Sequence, residues 1–321
     1  MTVSALIVGL GQIGMGYDLH LDPTAHIYSH ARAFSQNPRF RLVGGVDPDG
    51  ERRQTFTHTF GSPAYAELDT ALERHQPDLV IIAVPTRFHG QILQRVIERS
   101  PSRVILCEKP LSYDLQEARS MVQACAARDV MLCVNYMRRS DPGAIEIKRR
   151  IMEEEFGSPI KGVAWYSKGF FHNGSHFFNL LEFWLGPMRD SMLLNRGRLW
   201  DDTDPEPDVQ VTFERGNVVF LAAWEEAFSH YTIELLSPSG RLRYDRGGEL
   251  IQWQPAHPDP HFQGYTVLSA EPEKIGSGMD QYQRHVAEQL ARALDGQDAQ
   301  LCSGADALRT LDSMKQVLER I

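Results

Sequence analysis

The chain has 321 residues, 42% hydrophobic and 23% charged, an ordinary globular balance with room for two domains of roughly 100–200 residues each. Lysine and arginine number 33 against 42 acidic residues, and the net charge of −9 repels phosphate backbones and disfavours a nucleic-acid partner. The four cysteines (Cys107, Cys125, Cys133, Cys302) form no CxxC pair, no signal peptide or run of about 20 apolar residues is seen, and a cytoplasmic protein without a membrane partner is expected.

In chain order, Val3–Val8 is the short apolar run that a parallel strand buried on both faces requires. Similar runs stand at 41–46, 79–84, Val104–Cys107 and 130–134, with helical periodicity between them at 27–35, 67–75, 90–99 and 115–128. Such alternation predicts an α/β, doubly wound parallel sheet over residues 1–136. The texture then changes, and 137–321 reads as a second domain. Residues 144–152 and 176–185 read as helices, and 160–168, 209–213, 218–224, 231–237 and 241–245 as strands of an antiparallel sheet open on one face. Residues 255–260 (PAHPDP) read as a loop. The closing helices, 281–294 and 305–320, are expected either to stay with this domain or to pack back on the first.

Gly9-Leu10-Gly11-Gln12-Ile13-Gly14 follows the first strand directly. One glycine permits the tight turn, another lets backbone approach a pyrophosphate, and the next helix offers N–H groups and a partial positive charge. Gly9, Gly11, Gln12, Ile13 and Gly14 are therefore candidate dinucleotide contacts, against the plainer reading of a structural turn. Asp47, ending the second strand, suits the adenosine ribose hydroxyls and repels a 2′-phosphate, which favours NAD over NADP. Arg52 and Arg53 lie close enough in sequence to receive such a phosphate, and capping the next helix is the alternative role for Asp47. Gly14 to Asp47 exceeds the usual spacing of about 20 residues. The excess, 15–26 (MGYDLHLDPTAH), reads as a surface loop or a flap; no metal site is expected from its Asp18, His20, Asp22 and His26.

With AVPTRFHG at 83–90, CEKPL at 107–111, NGSHFFNLLEFWLG at 173–186 and GADALRTLDSMKQV at 304–317, the chain resembles the glucose–fructose oxidoreductase/inositol dehydrogenase (Gfo/Idh/MocA) family along nearly its whole length. The resemblance implies an N-terminal Rossmann domain and a C-terminal domain with a large, mostly antiparallel open sheet. It also implies a homodimer or homotetramer, and hydride exchange between a nicotinamide cofactor and a carbinol carbon of a sugar-like substrate. Lys109 would then hydrogen-bond the reacting oxygen and the cofactor ribose, a role consistent with a cation stabilising a forming alkoxide. A cis Lys109–Pro110 bond is expected. Glu108 would orient the nicotinamide side or only pair with a cation. Pro85 and Thr86 lie at the strand edge where doubly wound sheets bind ligands, and His89 either reaches the cofactor or merely opens a helix. His176 would exchange the hydroxyl proton, as suits an imidazole with an ordinary pKa of about 6.5.

The pattern also departs from the family. His172 stands four residues before His176, where many members carry aspartate, and Asn179 stands three after it, where aspartate is common. His172 and Asn173, with Tyr136 and Arg138 at the domain junction, are candidate substrate contacts. Arg138 or Arg139 would pair with an anionic substrate group or with Glu153-Glu154-Glu155. The expected function is an NAD(H)-dependent oxidoreductase of sugar-like molecules, with nucleotide-linked or acidic sugars as the class to test. Redox-assisted elimination with the cofactor returned, and a non-catalytic NAD-binding sensor or scaffold, stay open.

Overall fold

The computed structural model describes residues 2–319, which divide into two compact units: 2–140 with 280–309, and Asp141–Met279 with 310–319. Among the described residues, the first unit holds six parallel strands: β1 (Val3–Val8), β2 (Phe40–Val46), β3 (Ala64–Tyr65), β4 (Leu79–Ile82), β5 (Val104–Cys107) and β6 (Met131–Val134). Their order is β3-β2-β1-β4-β5-β6. The order reverses between β1 and β4, so the loops after β1, β4 and β5 leave one sheet edge around the crevice where such sheets hold ligands. Crossover helices are α1 (His30–Gln36), α2 (Gly50–Phe60), α3 (Leu68–His75), α4 (His89–Arg99) and α5 (Leu115–Ala126). Ile7, Ile81 and Leu106 pack with Phe34 and Phe56 in its core. Each such side chain contributes roughly 1.5–3 kcal/mol by leaving water.

Neither α2 nor β3 is visible in the sequence pattern. α2 buries only Phe56, so no apolar stripe announces it. Its ends are local chemistry: Asp49 accepts from the N–H groups of Glu51 and Arg52, and Gly61 closes it at φ 66°.

The second unit opens with α6 (Pro142–Met152), where Asp141 accepts from the Ala144 N–H and Pro142 fills the first turn. Next come β7 (Ile160–Tyr166) and α7 (Ser175–Leu185). β8 (Met188–Trp200), β9 (Asp204–Phe213), β10 (Gly216–Ala222), β11 (Thr232–Ser237), β12 (Gly240–Asp245), β13 (Leu250–Pro258), β14 (Thr266–Leu268) and β15 (Glu273–Ile275) follow. Among the described residues they make a nine-stranded sheet, β14-β13-β12-β11-β7-β10-β9-β8 with β15 on β13. Every pairing is antiparallel except β7 with β10. One face carries Val209, Val211 and Phe220 onto Phe178 and Trp184 of α7. Elsewhere on the sheet Trp165, Met192 and Leu236 remain exposed.

Two readings need correction here. Residues 255–258 of the expected loop are the end of β13, because Pro255 pairs with Gly240 of β12 and residues 256–258 pair with β14. β8 went unread because nearly all of its 13 residues are exposed or half-exposed, with apolar Met192, Leu194 and Leu199 facing water and Ser191 buried, so no alternation marks it. Trp224, expected inside a strand, lies beyond β10 at φ 54°.

The closing helices are α8 (Tyr282–Leu294) and α9 (Gly304–Glu319). α8 sends Val286, Ala287 and Leu290 into the first core, and the unit boundary falls within α9. Arg320, the expected end of α9, lies outside the described residues. No helix among the described residues is long and apolar enough to cross a membrane.

Candidate functional site

In the first unit the glycine positions are set by close backbone approach. Gly9 has φ +99°, and a Cβ there would stand 2.5 Å from the Ala83 carbonyl oxygen. A Cβ on Gly14 would collide with the Gly9 carbonyl. Gly11 is different: its nearest neighbour for a Cβ would be the Arg52 guanidinium at 3.9 Å, so its backbone is open to an approaching phosphate. The Met15 and Gly16 N–H groups donate back to the Gly11 carbonyl at 2.9 and 3.0 Å, and Tyr17 donates to Gln12 at 2.9 Å. Gln12 and Ile13 therefore ride on a helical turn that starts at once.

α1 begins only after the inserted segment. Its first N–H groups are satisfied internally: His30 donates to the Ile13 carbonyl at 3.0 Å, Ala31 to Gly14 at 2.9 Å, and Arg32 to the Ser29 hydroxyl. The expectation that this helix offers free donors to phosphate is thus corrected, and the helical turn at 11–17 takes that position. The insertion is no loose surface loop either. Asp18 is fully buried and accepts from the N–H groups of Tyr28 and Ser29 at 2.6 and 2.8 Å and from the Ser29 hydroxyl at 2.7 Å. The Arg32 guanidinium pairs with it at 3.3 Å. Among the described residues no cluster of histidine, cysteine or carboxylate side chains has metal-binding geometry.

Asp47 is buried, and its Oδ2 accepts the Leu10 N–H at 2.8 Å, which ties the glycine turn to the end of β2. Oδ1 accepts the Asp49 N–H at 2.9 Å, so Asp49, not Asp47, caps α2. Each oxygen keeps a second lone pair for a ribose hydroxyl. The half-exposed Arg52 guanidinium stands 3.5 Å from it.

Pro85 precedes a tight turn at Thr86–Phe88 that leads into α4. His89 is fully buried; its Nε2 faces the Val84 carbonyl at 2.9 Å and its Nδ1 faces those of Pro110 and Leu111 at 3.1 and 3.2 Å. The ring braces two loops, so its polar atoms are spent inside the protein rather than on a cofactor. The Lys109–Pro110 bond is cis. Glu108 Oε1 accepts from His30 Nε2 at 2.7 Å and from Asn135 Nδ2 at 2.6 Å, and Oε2 accepts the Lys109 backbone N–H at 3.3 Å. Burial pushes this carboxyl up, but the His30 bond and charge, the Asn135 bond and the Lys109 charge outweigh it and hold it below the usual carboxylate value. His30 and Asn135 were not read from the sequence: His30 counts there only as part of a helical run, and Asn135 only follows a strand. Tyr136 and Arg138 are buried. Arg139 pairs with Asp306 at 3.2 Å, while Glu153 and Glu155 are engaged by Arg149.

In the second unit, His172 and Asn173 lie in a wide helical turn, Gly169–Gly174, and His176 in the first turn of α7. Asp204 of β9 accepts the Phe171 and His172 N–H groups at 3.0 and 2.7 Å, and Glu206 accepts that of Gly169 at 3.1 Å. Burial pushes the Asp204 carboxyl up despite these bonds. The His172 ring stacks on Trp200 with centroids 5.1 Å apart, and Asn173 donates to the Tyr231 hydroxyl at 2.5 Å. Asn179 is fully buried and donates to Thr310 Oγ1 at 2.9 Å, pointing into α9. No disulfide joins the cysteines among the described residues, and burial pushes Cys125 up to about 11 and Cys133 up to about 12, which leaves both inert at neutral pH.

A glycine turn on β1, a carboxylate ending β2 and a lysine after β5 are the features of a dinucleotide-binding domain. Residues 3–136 match the family described as the oxidoreductase family with NAD-binding Rossmann fold, Gfo/Idh/MocA. Over 170 residues it is 31% identical to a scyllo-inositol 2-dehydrogenase (NAD(+)) from Bacillus subtilis strain 168, covering 52% of this chain and 44% of that one. The chain spans about half the length of the curated relatives it matches. The fold is shared with an NAD binding oxidoreductase from Klebsiella pneumoniae at TM-score 0.79, 17% identity and coverage of 100% of this chain and 97% of that one. It is shared too with the WlbA dehydrogenase of Bordetella pertussis, solved with NADH and UDP-GlcNAcA, at TM-score 0.75, 17% identity and coverage of 99% and 95%.

Proposed function

We propose that this protein is an NAD-dependent dehydrogenase acting on a carbinol carbon of a sugar-like substrate. One observation carries the reading: the open glycine turn after β1, the Pro85–Thr86 turn after β4 and Lys109 after β5 leave the same edge of three adjacent strands. The residues fit NAD, with Gly11 open to the pyrophosphate and Asp47 holding spare lone pairs for a ribose. The bound nicotinamide supplies the acceptor or donor of a hydride. Oxidation removes the carbinol C–H as that hydride and the O–H as a proton, leaving a carbonyl. Lys109 binds the reacting oxygen and stabilises its negative charge; His176 takes the proton. Glu108 and His89 hold the backbone on either side of Lys109.

Nucleotide-linked or acidic sugars are the substrate class to test first. The His172–Trp200 stack and the Asn173 amide offer the flat face and polar donor that a sugar ring uses, and the WlbA dehydrogenase was solved with such a ligand. A homo-oligomer through the exposed sheet residues is part of the same reading. The test is a panel of cyclitols, uronates and nucleotide sugars assayed for net reduction of NAD. Lys109→Ala abolishes turnover and leaves the NAD dissociation constant within a few-fold; turnover at the wild-type rate refutes the assignment.

A further inference from the structure

His30 stands at an unusual junction. Its backbone N–H closes the glycine turn on the Ile13 carbonyl, while its side chain reaches to the end of β5. The imidazole is fully buried, and its Nε2 lies 2.7 Å from Glu108 Oε1. An ionised carboxylate only accepts, so Nε2 carries the proton of this bond. Asn135 donates to the same oxygen at 2.6 Å, and the other oxygen takes the Lys109 backbone N–H at 3.3 Å. Two donors on Oε1 fix the plane of the carboxylate and direct Oε2 at the lysine backbone.

We propose that His30 is a positioning residue for Lys109: through Glu108 it ties the segment that closes the glycine turn to the lysine that meets the substrate. The proposal rests on the role given to Lys109 above. It adds a residue of α1 that takes part without touching substrate, and it makes one charged carboxylate the link between the cofactor turn and the reacting oxygen.

The arrangement predicts a dependence on pH. Facing the Glu108 carboxylate are His30 from α1, Lys109 beside it, Asn135 after β6, the Cys107 thiol of β5 and Tyr282 of α8; Tyr17, Asp18 and Tyr28 act on Tyr282 in turn. His30 and Lys109 favour the ionised carboxylate, and burial opposes it. A carboxyl held below its ordinary value contributes stability that is present above that value and lost as pH falls through the lowered one. Without the His30 donor the opposition from burial gains, and the carboxyl takes up its proton at higher pH.

The test uses His30→Gln and His30→Asn in the full chain. Glutamine Nε2 lies as many bonds from Cβ as histidine Nε2 and keeps the donor; asparagine Nδ2 reaches only as far as Nδ1. Both are polar and neutral, so they separate reach from mere burial of a polar group. In the NAD-free protein, the Glu108 carboxyl is titrated by carbon-13 NMR, assigned by its loss in Glu108→Gln, and the Lys109 backbone amide is followed alongside. Expected is a Glu108 titration raised modestly in His30→Gln, which keeps the donor but loses the imidazole charge, and raised further, by about one pH unit or more, in His30→Asn, with the Lys109 amide displaced only in the latter. The acid limb of kcat/KM should rise in the same order, with kcat falling about tenfold in His30→Asn. An unchanged Glu108 titration and Lys109 amide in folded His30→Asn overturns the proposal, as does an acid limb that ignores a shifted titration. Failure of the proposed function looks different: no sugar turns over in wild type, while the NMR measurements still decide whether His30 governs Glu108 and Lys109.

Discussion

Asn179 shows how one side-chain atom decides which residue a buried site accepts. Thr310 has a single hydroxyl proton and donates it to Glu182 Oε2 at 2.5 Å, while Ser313 donates to Oε1 at 3.1 Å. Thr310 Oγ1 can therefore only accept from position 179, and the asparagine amide supplies that donor at 2.9 Å. An aspartate there would set an acceptor against an acceptor and a second buried carboxylate near the first. Asn179→Asp should lower stability by roughly 1–3 kcal/mol in urea unfolding, with Asn179→Ser tolerated better. Equal midpoints for Asn179→Asp and wild type would remove this account of why the carboxylate is missing. The amide's direction was not legible beforehand, because its partner lies 131 residues away in α9.

At the scale of elements, what the sequence revealed follows from how each element buries itself. β1, β4 and β5 are buried on both faces and read as unbroken apolar runs. α2 turns mostly polar residues to water, β8 leaves polar and apolar residues alike exposed, and neither left a period to read. The glycine turn and the Glu108-Lys109-Pro110 turn were legible because their chemistry is local. The His30–Glu108 pair, 78 residues apart in sequence, was not. The insertion between Gly14 and α1 was visible as excess length, but its anchor was hidden, since an aspartate in a polar loop looks solvated. Asp18 satisfies two backbone N–H groups and a hydroxyl and pairs with Arg32, all out of water. Asp18→Ala orphans those donors and leaves a guanidinium unpaired, for an expected loss of about 3–5 kcal/mol in urea unfolding. Because the freed segment leads into the His30 end of α1, NAD affinity by calorimetric titration should fall as well. A loss below about 0.5 kcal/mol, the range of ordinary surface changes, would show the segment to be unpinned.

At the scale of the whole molecule, two independent effects favour NAD over NADP, and salt separates them. The net charge of −9 repels the more negative cofactor from a distance, a force that falls away beyond a Debye length of about 8–10 Å in ordinary buffer. Asp47 acts at contact range, buried at the end of β2, with the Arg52 guanidinium 3.5 Å away as an opposing local charge. If contact decides, NAD at a hundred times its dissociation constant stabilises the protein by about 2.7 kcal/mol, visible as a rise of several degrees in melting temperature. NADP at the same concentration should give less, and the gap should survive half-molar salt. Asp47→Asn keeps an acceptor for the Leu10 N–H but sheds the charge, so it should narrow the gap mainly by improving NADP. Should the gap instead vanish on adding salt to the wild type, discrimination belongs to the summed field of the chain, and Asp47 serves the glycine turn alone.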